Sequence, residues 1–145
     1  MKSGVVSAIK SKLLSGESRV RPVLFGPFRG LRFDLNLQYQ AQVYFGLWER
    51  ETYGVIQRAT QTAEWFVDIG AGQGELCTLF AKLQAVQRII AIEPSEIAMA
   101  SLRANLSHNN IRLSRVETLT KFVGTKVGAA EYIVTSLGLT MRSVD

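Results

Sequence analysis

The most constraining feature of this sequence is the stretch WFVDIGAGQGELCTLF, residues 65–80, in which an apolar run reaches Asp68 and then opens into three closely spaced glycines. Glycine is needed where the backbone turns with positive φ or comes into contact with a ligand. Apolar residues at helical spacing follow at once, so the pattern predicts a strand, a glycine loop and a helix. Such a loop presents unpaired backbone N–H groups at the helix N-terminus to an electron-rich ligand group.

A second strand and a second helix follow the glycine loop. RIIAIE predicts a buried strand that ends at Glu93, and SEIAMASLRANLSHNN predicts an amphipathic helix that ends at the Asn109-Asn110 pair. Strands that alternate with helices predict a parallel sheet covered by helices. At the carboxyl end of such a sheet, Glu93 can accept two hydrogen bonds from a ribose diol. The loop and this acid together predict a nucleoside-containing ligand.

The spacing of the glycines discriminates among such ligands. In the pyrophosphate-binding pattern G-x-G-x-x-G, counted from Gly70, the third glycine falls at the position of Glu75. An acid at that position would repel a diphosphate, which argues against NAD and FAD as ligands. The pattern D-x-G-x-G-x-G suits a cofactor with a positive centre and no phosphate, S-adenosylmethionine, whose sulfonium and amino end Asp68 would stabilise.

Other segments predict elements around this core. Residues 5–14 predict a short amphipathic helix, and VLFGPFRGLRFDL predicts a β-hairpin or a small antiparallel cap. QAQVYFGLW reads as a further extended piece and ERETYGVIQRATQ as a helix. After the second helix of the core, SRVETLTKFVG and AAEYIVTSL predict two more strands.

Composition narrows the class of protein. The chain has 145 residues, of which 47% are hydrophobic and 20% charged, as is usual for a soluble globular domain. Residues 1–32 hold seven basic residues and one acid, so the net charge of +5 comes from this segment alone. The segment reads as a solvated helix and linker, with contact to phosphate groups or an anionic membrane surface as the alternative.

Cysteine and hydropathy patterns exclude several further classes. The single cysteine, Cys77, cannot form an internal disulfide and reads as a small buried side chain, and no Cys/His cluster indicates a metal site. The chain has no targeting signal and no apolar stretch near the ~18 residues that a membrane span needs. We therefore expect a cytoplasmic protein with no membrane span.

Two motifs resemble a known family. VDIGAGQGELCTLFAK and IIAIEPSEIAMASLRANLSHNNI resemble the first two motifs of the class I S-adenosylmethionine-dependent methyltransferases, most closely the FkbM-type branch. GPFRGLRF and FGLWERE resemble the same branch, with Gly46, Trp48 and Glu49 in its Gly-x-Tyr-Glu-like element and Trp in place of Tyr. KFVGTKVGAAEY resembles the family's third strand and the turn after it. The resemblance covers about residues 24–135.

The resemblance implies an α/β, Rossmann-like methyltransferase fold, with a partial parallel sheet, flanking helices and an N-terminal extension of β-hairpin and helix. Residues 1–22 would form the basic N-terminal helix and linker, and residues 23–145 the cofactor-binding half of the methyltransferase domain. The implied binding residues for S-adenosylmethionine are Glu49, Asp68, Gly70, Ala71, Gly72, Glu93 and Pro94.

The resemblance also implies roles for these residues. Asp68 and the glycine loop would line the methionine end of the cofactor, Glu93 would hold the ribose hydroxyls, and Pro94 would border the adenine. Glu49 would approach the cofactor from above. No general base is assigned, because the one histidine, His108, reads as a solvated residue at a helix end.

Two functions stay open at this point. The family continues into a strand resembling I-K-I-D-x-E-G that helps to form the acceptor site, and TSLGLTMRSVD does not supply it. The chain is therefore expected to methylate a hydroxyl of a small molecule or sugar, or else to be a truncated, inactive S-adenosylmethionine-binding or interaction protein. A third reading, an RNA methyltransferase, lacks an aromatic and basic stacking surface, so nucleic acid is not an expected partner. The sequence leaves open whether the chain forms a homo-oligomer.

Overall fold

A computed structural model of the chain describes residues 16–125 and 128, together with the backbone course of 131–135 and 138–142. The elements in chain order are β1 (Arg19–Pro22), β2 (Arg32–Leu35), α1 (Leu37–Tyr44), α2 (Tyr53–Thr62), β3 (Trp65–Ile69), α3 (Glu75–Ala81), β4 (Arg88–Ile92), α4 (Glu96–His108), β5 (Val116–Leu119), β6 (Glu131–Thr135) and β7 (Gly138–Arg142). Short 3-10 turns at Arg50–Thr52 and Leu113–Arg115 precede α2 and β5. The helix predicted for residues 5–14 lies outside the described residues.

The centre of the fold is a parallel sheet of three strands in the order β3-β4-β5. Asp68 pairs with Ala91, one residue before each strand ends, and Glu93 directly follows β4. Carboxyl ends of parallel strands meet at one edge of a sheet, so both acids lie at the same edge. The predicted α/β, Rossmann-like fold with a partial parallel sheet and flanking helices is confirmed.

Helices α3 and α4 pack against one face of this sheet. Ser95 caps α4 by accepting a hydrogen bond from the backbone N–H of Ala98 at 3.2 Å. The buried apolar side chains between helices and sheet include Phe80, Ile89, Met99, Leu102, Leu106 and Val116. On β3 the other face is exposed, with Trp65, Val67 and Ile69 each at least half accessible. The sheet is thus covered on the helical side, and the outer face of β3 is open to solvent.

An N-terminal hairpin adds a second, smaller core. Strands β1 and β2 pair antiparallel, as predicted for a hairpin, but β1 is Arg19–Pro22 and lies before the stretch 23–35 in which the hairpin was expected. A domain boundary after residue 22 would therefore separate β1 from the strand with which it pairs. The apolar residues of the hairpin and its connection, among them Val23, Phe28, Phe33 and Leu35, form one buried cluster with Val43 and Ile56.

Two buried asparagines, Asn105 of α4 and Asn109 directly after it, fasten this hairpin to the rest of the fold. Asn105 accepts a hydrogen bond from the backbone N–H of Asp34 at 3.0 Å. Asn109 accepts from the N–H of Arg32 at 2.9 Å and donates to the carbonyl of the same residue at 2.6 Å. Because buried polar groups are costly when unpaired, these bonds fix β2 against α4.

Two predicted strands differ from the structure. QAQVYFGLW was expected to be extended, but Leu37–Tyr44 is helical because Asn36 caps the helix and because Leu37 and Ala41, one turn apart, are both buried. AAEYIVTSL forms a strand as predicted, yet β6 pairs antiparallel with β7 in a separate two-stranded sheet. Within the described residues no helix has the length and apolar character needed to cross a bilayer.

Candidate functional site

A cavity of about 240 Å³ opens at the carboxyl end of β3. Its lining residues are Trp48, Glu49, Asp68, Ile69, Gly70, Ala71, Gly72, Glu75 and Leu76. Three of these nine carry carboxyl groups, and none is Lys, Arg or His. Five of the seven predicted binding residues lie in this lining, whereas Glu93 and Pro94 lie outside it.

The glycine loop is held by its own backbone. The N–H groups of Gly70 and Ala71 both donate to the carbonyl of Ile92, at 2.8 and 3.1 Å, and the N–H of Gly74 donates to the carbonyl of Ala71 at 2.9 Å. Gly70 has a φ of +78°, and a Cβ added there would meet no atom within 4 Å. The loop therefore keeps open space beside Gly70, on the side where a ligand would lie.

Glu93 follows β4 next to the glycine loop and braces it. Its side chain is 6% exposed, and its carboxylate accepts hydrogen bonds from the N–H of Gly72 at 3.0 Å and of Ser95 at 2.9 Å. Each carboxylate oxygen has a second acceptor site, so these bonds leave capacity for a ligand hydroxyl. Pro94 is half-buried between Glu93 and Ser95 in the turn from β4 to α4.

Asp68 faces the cavity from the end of β3. The thiol of Cys77 donates a hydrogen bond to its Oδ2 at 3.3 Å. Burial raises the pKa of Asp68, the hydrogen bond from Cys77 lowers it, and the nearby charge of Glu93 raises it. Burial, with the charge of Asp68, also raises the pKa of Cys77, so its thiol stays protonated and acts as a donor.

Glu75 is the first residue of α3 and the second acid of the cavity. Burial raises its pKa, a hydrogen bond with its own backbone amide lowers it, and the charges of Asp68 and Glu49 raise it. The N-terminus of a helix favours negative charge, and here the carboxylate of Glu75 supplies that charge. A phosphate at this position would meet a like charge.

Glu49 provides the third carboxyl group from a strained backbone. Its φ is +48°, in the left-handed region that residues other than glycine rarely adopt. The N–H and the hydroxyl of Thr52 both donate to the carbonyl of Glu49, at 2.9 and 2.8 Å, and hold this conformation. Next to it, the ring of Trp48 packs edge-on against Phe28 at 6.0 Å. Non-glycine residues in this region cluster at functional sites.

Sequence reasoning missed the side chains that support the loop from behind. Gln73 in the loop accepts a hydrogen bond from Gln40 of α1 at 2.8 Å through its side chain, and one from Asn105 of α4 at 2.9 Å through its carbonyl. The available signal was a polar residue, Asn105, among the apolar positions of an amphipathic helix. Among the residues described, no group of three or more His, Cys, Asp or Glu could hold a metal ion.

Comparisons with known proteins bear on the fold. No protein-family model matches the chain, and no curated protein does. The crystal structure of M. jannaschii TYW2 in complex with AdoMet is 22% identical over 74% of this chain and 45% of that chain, with a TM-score of 0.50. P. horikoshii TYW2 in complex with MeSAdo is also 22% identical, over 74% of this chain and 37% of that chain, with a TM-score of 0.51.

A third structure, the complex of aTrm5 and tRNALeu, is 19% identical over 83% of this chain and 42% of that chain, with a TM-score of 0.49. The chain thus spans less than half the length of each of these proteins. The two TYW2 structures show that this chain shares their α/β fold.

Substitution of glycine by alanine has different consequences at Gly70 and Gly74, the two ends of the glycine loop. A Cβ at Gly74, where φ is +82°, would lie 2.5 Å from Cγ of Leu102, whereas Gly70 has open space. Gly70→Ala is expected to cost about 1–2 kcal/mol from the left-handed backbone alone. Gly74→Ala is expected to cost about 1–3 kcal/mol more, because it also overpacks the core. Urea unfolding of both variants measures the difference, and equal losses would contradict this distinction.

The burial of Glu75 predicts a pH-dependent stability. Because its pKa in the folded chain lies above its ordinary value of 4.5, the protonated form stabilises the fold, and this stabilisation is lost as pH rises through the folded-state pKa. Glu75→Gln should therefore raise the Tm at pH 7.5, and its advantage should shrink towards pH 4.5. The exposed Glu64, at the other end of β3, provides the control Glu64→Gln. A Tm gain that is independent of pH, or is shared by the control, would refute the electrostatic explanation.

Proposed function

We propose that this chain binds S-adenosylmethionine at the carboxyl end of β3 and forms the cofactor-binding half of a methyltransferase. The observation that carries the proposal is the convergence of Glu49, Asp68 and Glu75 on a cavity in whose lining the described residues include no cationic side chain. Such a cavity suits a ligand with a positive centre and no phosphate. The AdoMet bound in the M. jannaschii TYW2 structure supports a ligand of this class, and the MeSAdo bound in P. horikoshii TYW2 supports its adenosyl part.

The residues present fit this cofactor. Asp68 and Glu75 face the space that the sulfonium and amino groups would occupy, and Gly70 leaves that space open. Glu93 lies one hydrogen bond away from the loop, with acceptor capacity for the ribose hydroxyls. Bound here, the cofactor would supply an electrophilic methyl group, and the chain would contribute alignment for an in-line displacement.

The proposal also includes the substrate that accepts the methyl group. On the resemblance to the FkbM-type branch, we assign a hydroxyl of a small molecule or sugar as the group that receives the methyl. No residue of the described chain is assigned as its general base. An inactive S-adenosylmethionine-binding protein is the alternative, and the two are separated by experiment.

Calorimetric titration tests the cofactor site. The wild-type chain should bind S-adenosylmethionine, and Asp68→Asn should weaken binding at least tenfold, about 1.4 kcal/mol, because it removes a charge that faces the sulfonium and amino end. Glu64→Gln removes the same charge at the far end of β3 and should leave the affinity unchanged. Circular dichroism confirms that each variant is folded. A folded wild-type chain that binds no S-adenosylmethionine would refute the proposal.

Transfer of a labelled methyl group tests the acceptor. We expect label from S-adenosylmethionine to enter a panel of sugars and small hydroxyl compounds in the presence of the wild-type chain, and Asp68→Asn to abolish the transfer. Total RNA is included as a second acceptor arm. Labelling of RNA alone would overturn the hydroxyl assignment, and binding without any transfer would favour the inactive alternative.

A further inference from the structure

All the charged side chains described in the cavity lining are acidic. Glu49, Asp68 and Glu75 contribute carboxyl groups to the lining, and the carboxylate of Glu93 accepts a hydrogen bond from Gly72 of the loop. The mutual influence of these acids is visible in the pKa of Glu75, which the charges of Asp68 and Glu49 raise. Within the part of the chain that the structure describes, the lining contains no Lys, Arg or His that would bind an anionic group of a ligand.

The backbone donors of the loop are also committed to the protein. Four of the five N–H groups from Gly70 to Gly74 donate to protein acceptors, namely the carbonyls of Ile92 and Ala71 and the carboxylate of Glu93. At most the N–H of Gln73 remains from this loop for a ligand. The backbone donors that the glycine loop itself could offer to an anion are thus largely used.

S-adenosylmethionine carries such an anion. Its methionine end bears a sulfonium, an ammonium and a carboxylate, whereas S-adenosylhomocysteine lacks the sulfonium charge. Decarboxylated S-adenosylmethionine keeps both cations and has no carboxylate. In this cavity the two cations would be attracted by three carboxyl groups, and a carboxylate would be repelled by them.

From the carboxyl groups of the lining and the committed donors of the loop, we propose that positive charge on the ligand determines its affinity for the cavity. The favoured ligand is an adenosyl sulfonium that carries an amine and no carboxylate. Decarboxylated S-adenosylmethionine is the ligand of this class that tests it. The inference rests on the proposed function, because all these ligands share the adenosyl group and the same cavity. It extends that function by naming the chemical feature that determines affinity.

Isothermal titration of the wild-type chain with the three ligands tests the inference. Decarboxylated S-adenosylmethionine should bind at least about tenfold more tightly than S-adenosylmethionine, which in turn should bind more tightly than S-adenosylhomocysteine. Both affinity ratios should fall as salt is raised from about 0.05 to 0.5 M, because ions screen the carboxylates of this open cavity. Equal affinity for the first two ligands, or tighter binding of S-adenosylhomocysteine, would overturn the inference.

Matched variants assign the preference to the cavity. Glu75→Gln keeps the shape of the side chain and removes one charge, so it should bring the affinity ratio of the first two ligands at least about threefold closer to one. Glu64→Gln should leave the ratio unchanged. A ratio that Glu75→Gln does not alter would overturn the assignment to these acids. Binding of S-adenosylmethionine without a charge preference would overturn this inference alone, whereas binding of none of the ligands would overturn the proposed function as well.

Discussion

The hydrogen bonds of the Glu93 carboxylate hold together the edge of the sheet at which the cavity opens. One oxygen accepts a hydrogen bond from Gly72 in the glycine loop and the other from Ser95 at the start of α4. A single buried side chain thus connects the loop, β4 and α4. A carboxylate that is 6% exposed needs such donors, since burying it unpaired would be costly. This contact adds to the backbone bonds that hold the loop against the end of β4.

Two acids of the cavity, Asp68 and Glu75, lower the stability of the folded chain at neutral pH. Burial raises the pKa values of Asp68 and Glu75, which means that folding at neutral pH works against their ionisation. Structural acids are normally paired with cations, and the chain has 17 Lys and Arg residues from which partners could come. Of those that the structure describes, none lines the cavity. Acidic side chains that line one cavity without cationic partners are the pattern expected of a binding site for a cation.

The sequence predicted the elements whose periodicity is strong and whose contacts are local. WFVDI, RIIAI and the helices after them follow from apolar spacing and from the glycines between them. Prediction failed at Leu37–Tyr44, where Gln, Tyr and Val suggest extended structure but the Asn36 cap and contacts with the hairpin core favour a helix. At the site, Asp68, Glu93 and the glycines carry a recognisable pattern. Gln40, Gln73 and Asn105 do not, because their roles arise from contacts between residues more than 30 positions apart.

These long-range contacts mean that the hairpin and the glycine loop form one structural unit. Asn105 bonds the backbone of β2 through its carbonyl oxygen and the carbonyl of Gln73 through its amide nitrogen, so the same side chain supports the hairpin and the loop. Gln40 of α1 approaches Gln73 from the other side. Removing β2 would leave polar groups of Asn105 and Asn109 buried without partners, at about 1–3 kcal/mol for each group. The N-terminal hairpin therefore supports the glycine loop, although it precedes the first parallel strand in the sequence.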